Sequence, residues 1–370
     1  DTTTVKSTSD VGLGGAIDIG VREAHLINGA TITTLTVGAD PNAQAGGQIT
    51  VHGLQGAKIM ADSVTLSGFG SGIKTDAGGF GQSGAIALSA KTISLTDGAV
   101  IQAGSPGASG AGGAVTLNAA SVDISGGSSI ASQASEAPAG QVTITANEFT
   151  LDNGAITTST SSSLTRSPGG NVVLDVGTGS LSNGATINSS TTGTGRAGDI
   201  KMNVGSLTLA NHSEITNSSS GTMANAGDAG TITTTGNRVS LASGSSITSA
   251  TTGAGNAGQV IITTPALSLN DATITTSTSS TGNAGSITAN VGTLSLANGS
   301  RISSASTGTA PVPNPDGLTT EPPGMAGNVT ITATGSFTSD ASSIATSAEA
   351  NHGGDISITA DSVQLSNGTL

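Results

Sequence analysis

The chain has 370 residues, with 56 Gly, four Phe and no Trp, Tyr or Cys. It therefore lacks the bulk for several ordinary globular cores and has neither disulfides nor thiolate metal sites. Its net charge of −13 comes from 10 Lys and Arg against 23 Asp and Glu, only 9% of residues in all, and so sparse a scatter leaves no basic stripe for nucleic acid or an anionic membrane.

The opening DTTTVKSTSD shows no basic segment followed by an apolar run, so no signal peptide is expected in it. No apolar run of about 18 residues follows anywhere to span a bilayer. Val5 reads as the closing strand of a coil that precedes the first full repeat. From there the chain repeats itself. A Gly followed two residues later by Ile or Val recurs twelve times, at Gly15, Gly47, Gly84, Gly113, Gly140, Gly170, Gly198, Gly230, Gly258, Gly285, Gly327 and Gly354. Each anchor leads to a second apolar position, such as Leu95, Ile124, Leu151 or Leu241, and then to a turn such as Asp97-Gly98 or Asn153-Gly154. A closing Ile ends eleven of the twelve units, from Ile32 to Ile344, and Leu370 holds that place in the last.

Within a unit the apolar period is two: Val142, Ile144 and Ala146, then Phe149 and Leu151, then Ile156. This predicts three short strands per unit, each unable to bury its inward face alone. Stacked units would bury it jointly. The expected fold is all-β: a right-handed parallel β-helix of about twelve coils, 27–32 residues per typical coil, forming one unit over residues 1–370. At a strand spacing of ~4.8 Å the rod is about 55 Å long. Two residues past the closing Ile stands an inward row that is Ser or Thr in nine of eleven coils, from Thr34 to Thr346. These hydroxyls are expected to bond to one another along the stack. On the outer face, Asp175 and Lys201 fall in adjacent coils and are expected to pair.

Two places break the rhythm. HGLQGAKIMADS, between Val51 and Val64, lengthens the second coil. Residues 308–326 form an excursion with prolines at Pro311, Pro313, Pro315, Pro322 and Pro323, unsuited to a central strand. Solenoid insertions gather on one face, often a binding face, so these five prolines mark the candidate partner loop. Both ends of the stack would expose apolar core, so further coils or copies of the chain are the expected partners there. Leu370 to Gly15 across such a junction would match the interval from Ile32 to Gly47.

No catalytic, cofactor or metal residue is expected. Carboxylates are dispersed, and there is no Trp or Tyr to stack on sugar rings at a cleavage site. His25, His52, His212 and His352 fall in different coils, mostly at expected turns. The run GTGRAG, Gly193 to Gly198, lacks the Lys-Ser/Thr and helix of a phosphate loop. Sequons such as Asn188-Ser189-Ser190 are ordinary in so Ser/Thr-rich a chain. Thr143-Ile144-Thr145 and Thr330-Ile331-Thr332 resemble an ice-binding ladder, but Asp18, Ala87, Val173, Lys201 and Ile261 interrupt the same rows.

The stretches GDISITADSVQLSNGTL, GSITANVGTLSLANGS and ITSATTGAGNAGQV resemble the repeats of filamentous-haemagglutinin-like exoproteins, the two-partner-secretion passengers of Gram-negative bacteria. The resemblance runs over essentially the whole chain. It implies a β-helical shaft, export through an outer-membrane secretion pore, and display at the cell surface in adhesion, biofilm or matrix roles toward a host or matrix surface. That family's Asn-Pro-Asn secretion signature is missing, since Asp40-Pro41-Asn42 does not match it. The expected role is thus a non-enzymatic shaft. The alternatives are a subunit assembling end to end into a fibre or sheath, and an ice-binding or surface-binding solenoid.

Overall fold

The computed structural model describes residues 3–9, 14–37, 45–78, 80–105, 110–162, 166–221, 225–308, 312–313 and 320–367. It is a β-solenoid of about eleven turns, with parallel strands stacked along the axis. Twelve closing strands, from Thr4–Ser9 to Ser343–Ala348, form one side. A 16-stranded sheet forms the other two sides, and a small antiparallel pair, Val312–Pro313 with Thr320–Glu321, stands apart. The twelve anchors give twelve strands on the first side, and twelve rungs enclose eleven turns. Leu370, which closes the last unit, lies outside the described residues.

The sequence predicts three strands per unit, yet in the middle of the solenoid the first two are one continuous strand bent at a corner. Val142–Asp152 shows how. Val142, Ile144 and Ala146 point inward, Asn147 and Glu148 both point out, and Phe149 and Leu151 point inward again. Two successive outward residues change the phase and turn the chain, while the hydrogen-bonded ladder to Val172–Ser182 continues past the bend. In the last two coils the corner does interrupt the strand. Ala333 pairs with Val291 but Phe337 with Leu294, so one extra residue bulges at Thr334–Gly335.

One apolar core runs from Leu26 to Ile344. Identical rows stack: Ile130, Ile156, Ile187, Ile215, Ile247, Ile274 and Ile302 are all at most 1% exposed. Phe149, the bulkiest of the fully buried side chains, lies level with Gly179 in the next rung. At the third corner Asn28, Asp97, Asn153, Asn183 and Asn298 take positive φ, as the Asn-Gly and Asp-Gly signals lead one to expect.

Register corrects the expected Asp175–Lys201 pair. Asp175 lies level with Thr145 and Asn203, whereas Lys201 lies level with Val173 and Thr233. They sit on different rows of neighbouring rungs and form no ion pair. Asp76, on the closing strand Gly72–Ala77, has one carboxylate oxygen buried without a partner. Burial pushes its carboxyl above the ordinary range, and the Lys74 ammonium draws it partly back. The folded chain therefore holds this proton more tightly than the unfolded one. The ionised form costs stability above the folded pKa, and the cost disappears below the unfolded value of about 3.9. Asp76→Asn should raise the unfolding free energy at pH 7 by under about 1 kcal/mol, read as a higher urea midpoint, and leave it unchanged near pH 3. An equal gain at both pH values would show that charge is not the cause.

Candidate functional site

The working parts of the stack lie where the anchor glycines meet the inward hydroxyl row. A Cβ built on any anchor from Gly47 to Gly354 would lie 1.7–2.3 Å from the carbonyl oxygen of the anchor below. The main chains of successive rungs touch there, and only Gly fits. This close approach leaves the anchor groups to be satisfied by side chains. Thr34, Thr75 and Thr158 each donate at 2.6 Å to the carbonyl of the next anchor, Gly47, Gly84 and Gly170. Ser132 instead donates to Gly113 O at 2.9 Å and accepts from Gly140 N at 2.8 Å, bridging two rungs. Ser249 and Ser304 do the same. Asn217 takes the same place, donating from Nδ2 to Gly198 O and accepting from Gly230 N.

The hydroxyl row is buried as expected, but its partners are glycine backbone groups rather than its own neighbours. The physical reason is distance: like residues sit a full rung apart, about 4.8 Å, while the anchor main chain lies within hydrogen-bond reach. In the next inward row Thr160, Thr191 and Thr278 bond nearby main-chain groups, whereas the hydroxyls of Thr36, Ser219, Thr251 and Ser306 are buried without a partner.

Other polar side chains staple the exterior. Asn171 Oδ1 accepts from Asp199 N at 2.8 Å, and Asp199 Oδ1 from Thr231 N at 2.7 Å. Asp228, Asn256 and Asn283 form a second ladder by the same pattern. At the third corner Asn183 Nδ2 reaches Asp152 and Asn211 Nδ2 reaches Asn183. Sequence reading marked the Asn-Gly corners as turns and missed these ladders; the recurrence of Asn and Asp at coil spacing was the available signal.

The proline excursion is shorter than its expected span. Gly308 stacks on Ser280 and Gly324 on Gly282, so residues 309–323 replace the single residue Thr281 of the coil below. Pro311 and Pro315 lie outside the described residues. Pro313 belongs to the small antiparallel pair. Pro322 is exposed, whereas Pro323 is buried and its carbonyl accepts from Asn351 Nδ2 at 2.7 Å. Replacing 309–323 by one Thr should restore a regular coil and move the unfolding free energy by no more than about 0.5 kcal/mol. A large loss in urea melts would mean that the excursion is part of the stack.

The four histidines stay apart. His25 lies on the strand Glu23–Ile27 with Nε2 3.6 Å from Glu23 Oε2, and His212 and His352 are exposed. His52 departs from the turn expectation: it is buried, with Nε2 3.0 Å from Asp18 Oδ1 and Nδ1 2.7 Å from Gly53 O. Among the described residues no three His, Cys, Asp or Glu side chains gather as a metal site, and no helix is long and apolar enough to cross a membrane.

At the two ends the inward rows are exposed. Val5 is 49% accessible at one end, and Val363 and Leu365 are 51% and 48% accessible at the other, while the rows they continue are buried. No protein-family model, curated protein or solved structure matches the chain.

Proposed function

We propose that the chain is a non-enzymatic, rigid shaft of a secreted bacterial cell-surface exoprotein, serving adhesion, biofilm or matrix attachment. The observation that carries this reading is the uninterrupted stack. One core and one set of strand pairings run the length of the solenoid, and the hydroxyls at the anchors and the Asn and Asp ladders outside join rung to rung. Such a quasi-one-dimensional body transmits position over distance without a cleft of converging reactive groups. The resemblance of its repeats to exoprotein passengers supplies the surface location and the outer-membrane pore as export partner.

A second reading rests on the exposed inward rows at Val5, Val363 and Leu365. Further coils of the same polypeptide or second copies stacked end on end would cover them, the latter giving a fibre or sheath. Immunogold labelling of intact source cells, with the intact mass of the denatured native polypeptide, tests both. Surface label with a mass far above 35.1 kDa fits the shaft; surface label at 35.1 kDa fits the stacking subunit. Label confined to the cytoplasm overturns both.

A further inference from the structure

We infer that the corner between the first two sides is a longitudinal groove for an extended, neutral polyhydroxyl chain, a polysaccharide laid along the axis. Three separate hollows lie on this one corner. The first, of about 280 Å³, lies between Arg22, Leu54, Ile59 and Lys91. The second, about 580 Å³, lies over the nearly buried Ala119, Ala146 and Val176, is edged by Asn118, Thr145 and Asn147, and begins at Met60, which also lines the first. The third, about 420 Å³, runs over Gly236, Pro265, Val291 and Gly292.

A ladder of short polar residues edges the groove. Asn118, Thr145, Asp175, Asn203, Thr235, Thr263, Asn290 and Thr332 follow one another rung by rung in strict register. All eight are exposed, and none of their side chains bonds to the protein. This sets them apart from the Asn and Asp ladders at the other corners, which are committed to joining rungs.

The chemistry selects the occupant. A peptide strand needs a free sheet edge, and here each rung's main chain is already paired with the rungs on both sides. Nucleic acid and polyanions need cations, and the third hollow has no charged residue while the second has only Asp175. Glu148 and Arg238 stand one row away. In the first hollow Lys91 Nζ is held by Asp62 at 2.5 Å, with Arg22 3.9 Å from the same carboxylate. What remains is a shallow trough, uncharged and mainly apolar in the third hollow where Pro265 is exposed, and edged by hydroxyl and amide groups recurring every ~4.8 Å. Such a trough suits the ring faces of successive sugars, and such an edge suits their hydroxyls. Residues 52–60 stand between Val51 and Ala61, where the next coil has Ser89 alone, so the second-coil insertion rises at the groove's end.

The test is titration calorimetry of the intact chain with neutral hexasaccharides of glucan, mannan, xylan and galactan type, beside a hexauronate and a DNA dodecamer. At least one neutral sugar should bind, and neither polyanion. Thr263→Glu with Asn290→Glu, or both changed to Ala, should weaken that binding about tenfold or more with the melting curve unchanged. Ser240→Glu with Ser268→Glu, on the outward row of the second side, should leave it intact. The inference is overturned by no binding of any neutral sugar, by binding of polyanions only, or by binding that the Thr263 and Asn290 variants do not alter.

Discussion

Gly258→Ala should be among the most damaging single-methyl changes available in this chain, costing about 3 kcal/mol or more. Its Cβ would stand 1.7 Å from Gly230 O and 2.5 Å from Gly230 C, both main-chain atoms. Neither rung can retreat easily, because Val260–Asn270 is in register with Ile232–Ala242 along the adjoining side. Relief requires parting the rungs, which breaks ladder bonds and opens the core beside Val260. Gly179→Ala is the internal control. Its one tight contact is the flexible end of Leu207, Cδ1 at 3.2 Å, with Val176 Cγ2 at 3.6 Å and Ser206 O at 3.8 Å in ordinary contact, so it should cost under about 1 kcal/mol. Urea unfolding followed by far-ultraviolet circular dichroism distinguishes the two. Equal midpoints would refute close main-chain contact as the reason for Gly at the anchors. Because a solenoid can unfold in parts, amide exchange at Gly258 should accompany the melt.

The second large effect is expected at Asn217. Its amide donates to Gly198 O and accepts from Gly230 N, and the residue is fully buried. Asn217→Ala would strand a buried carbonyl and a buried N–H together, costing about 2–4 kcal/mol. Asn217→Ser should recover most of the loss, since Ser132, Ser249 and Ser304 make the same two bonds from the same place. Exchange protection of the Gly230 amide should fall in the Ala variant and return in the Ser variant. Failure of Ser to rescue, with the core otherwise intact, would assign the effect to lost volume instead.

These two sites show how far the sequence reaches. The twelve anchors, the closing Ile row and the Asn-Gly turns were legible because a solenoid repeats its chemistry at the period of its coils, and each inward row is a local, period-two signal. The insertions were visible as breaks in that period. That Thr34 or Ser132 is inward was equally plain.

Only the tertiary structure decided what lies across from these residues. Whether a buried hydroxyl meets its own neighbour or an anchor carbonyl depends on how near the closing of the coil brings the anchor main chain, which no spacing along the chain encodes. The same holds for the corner groove. Asn118, Thr145 and Asn290 are scattered in sequence, and their alignment follows from where two outward residues bend each strand. Asp175 and Lys201 make the point in reverse: adjacent coils brought them near in sequence terms, and a register offset of two residues put them on separate rows. Periodicity along the chain determines which residues face inward, whereas partners across the lumen and along the axis are determined by the closure of each coil on itself.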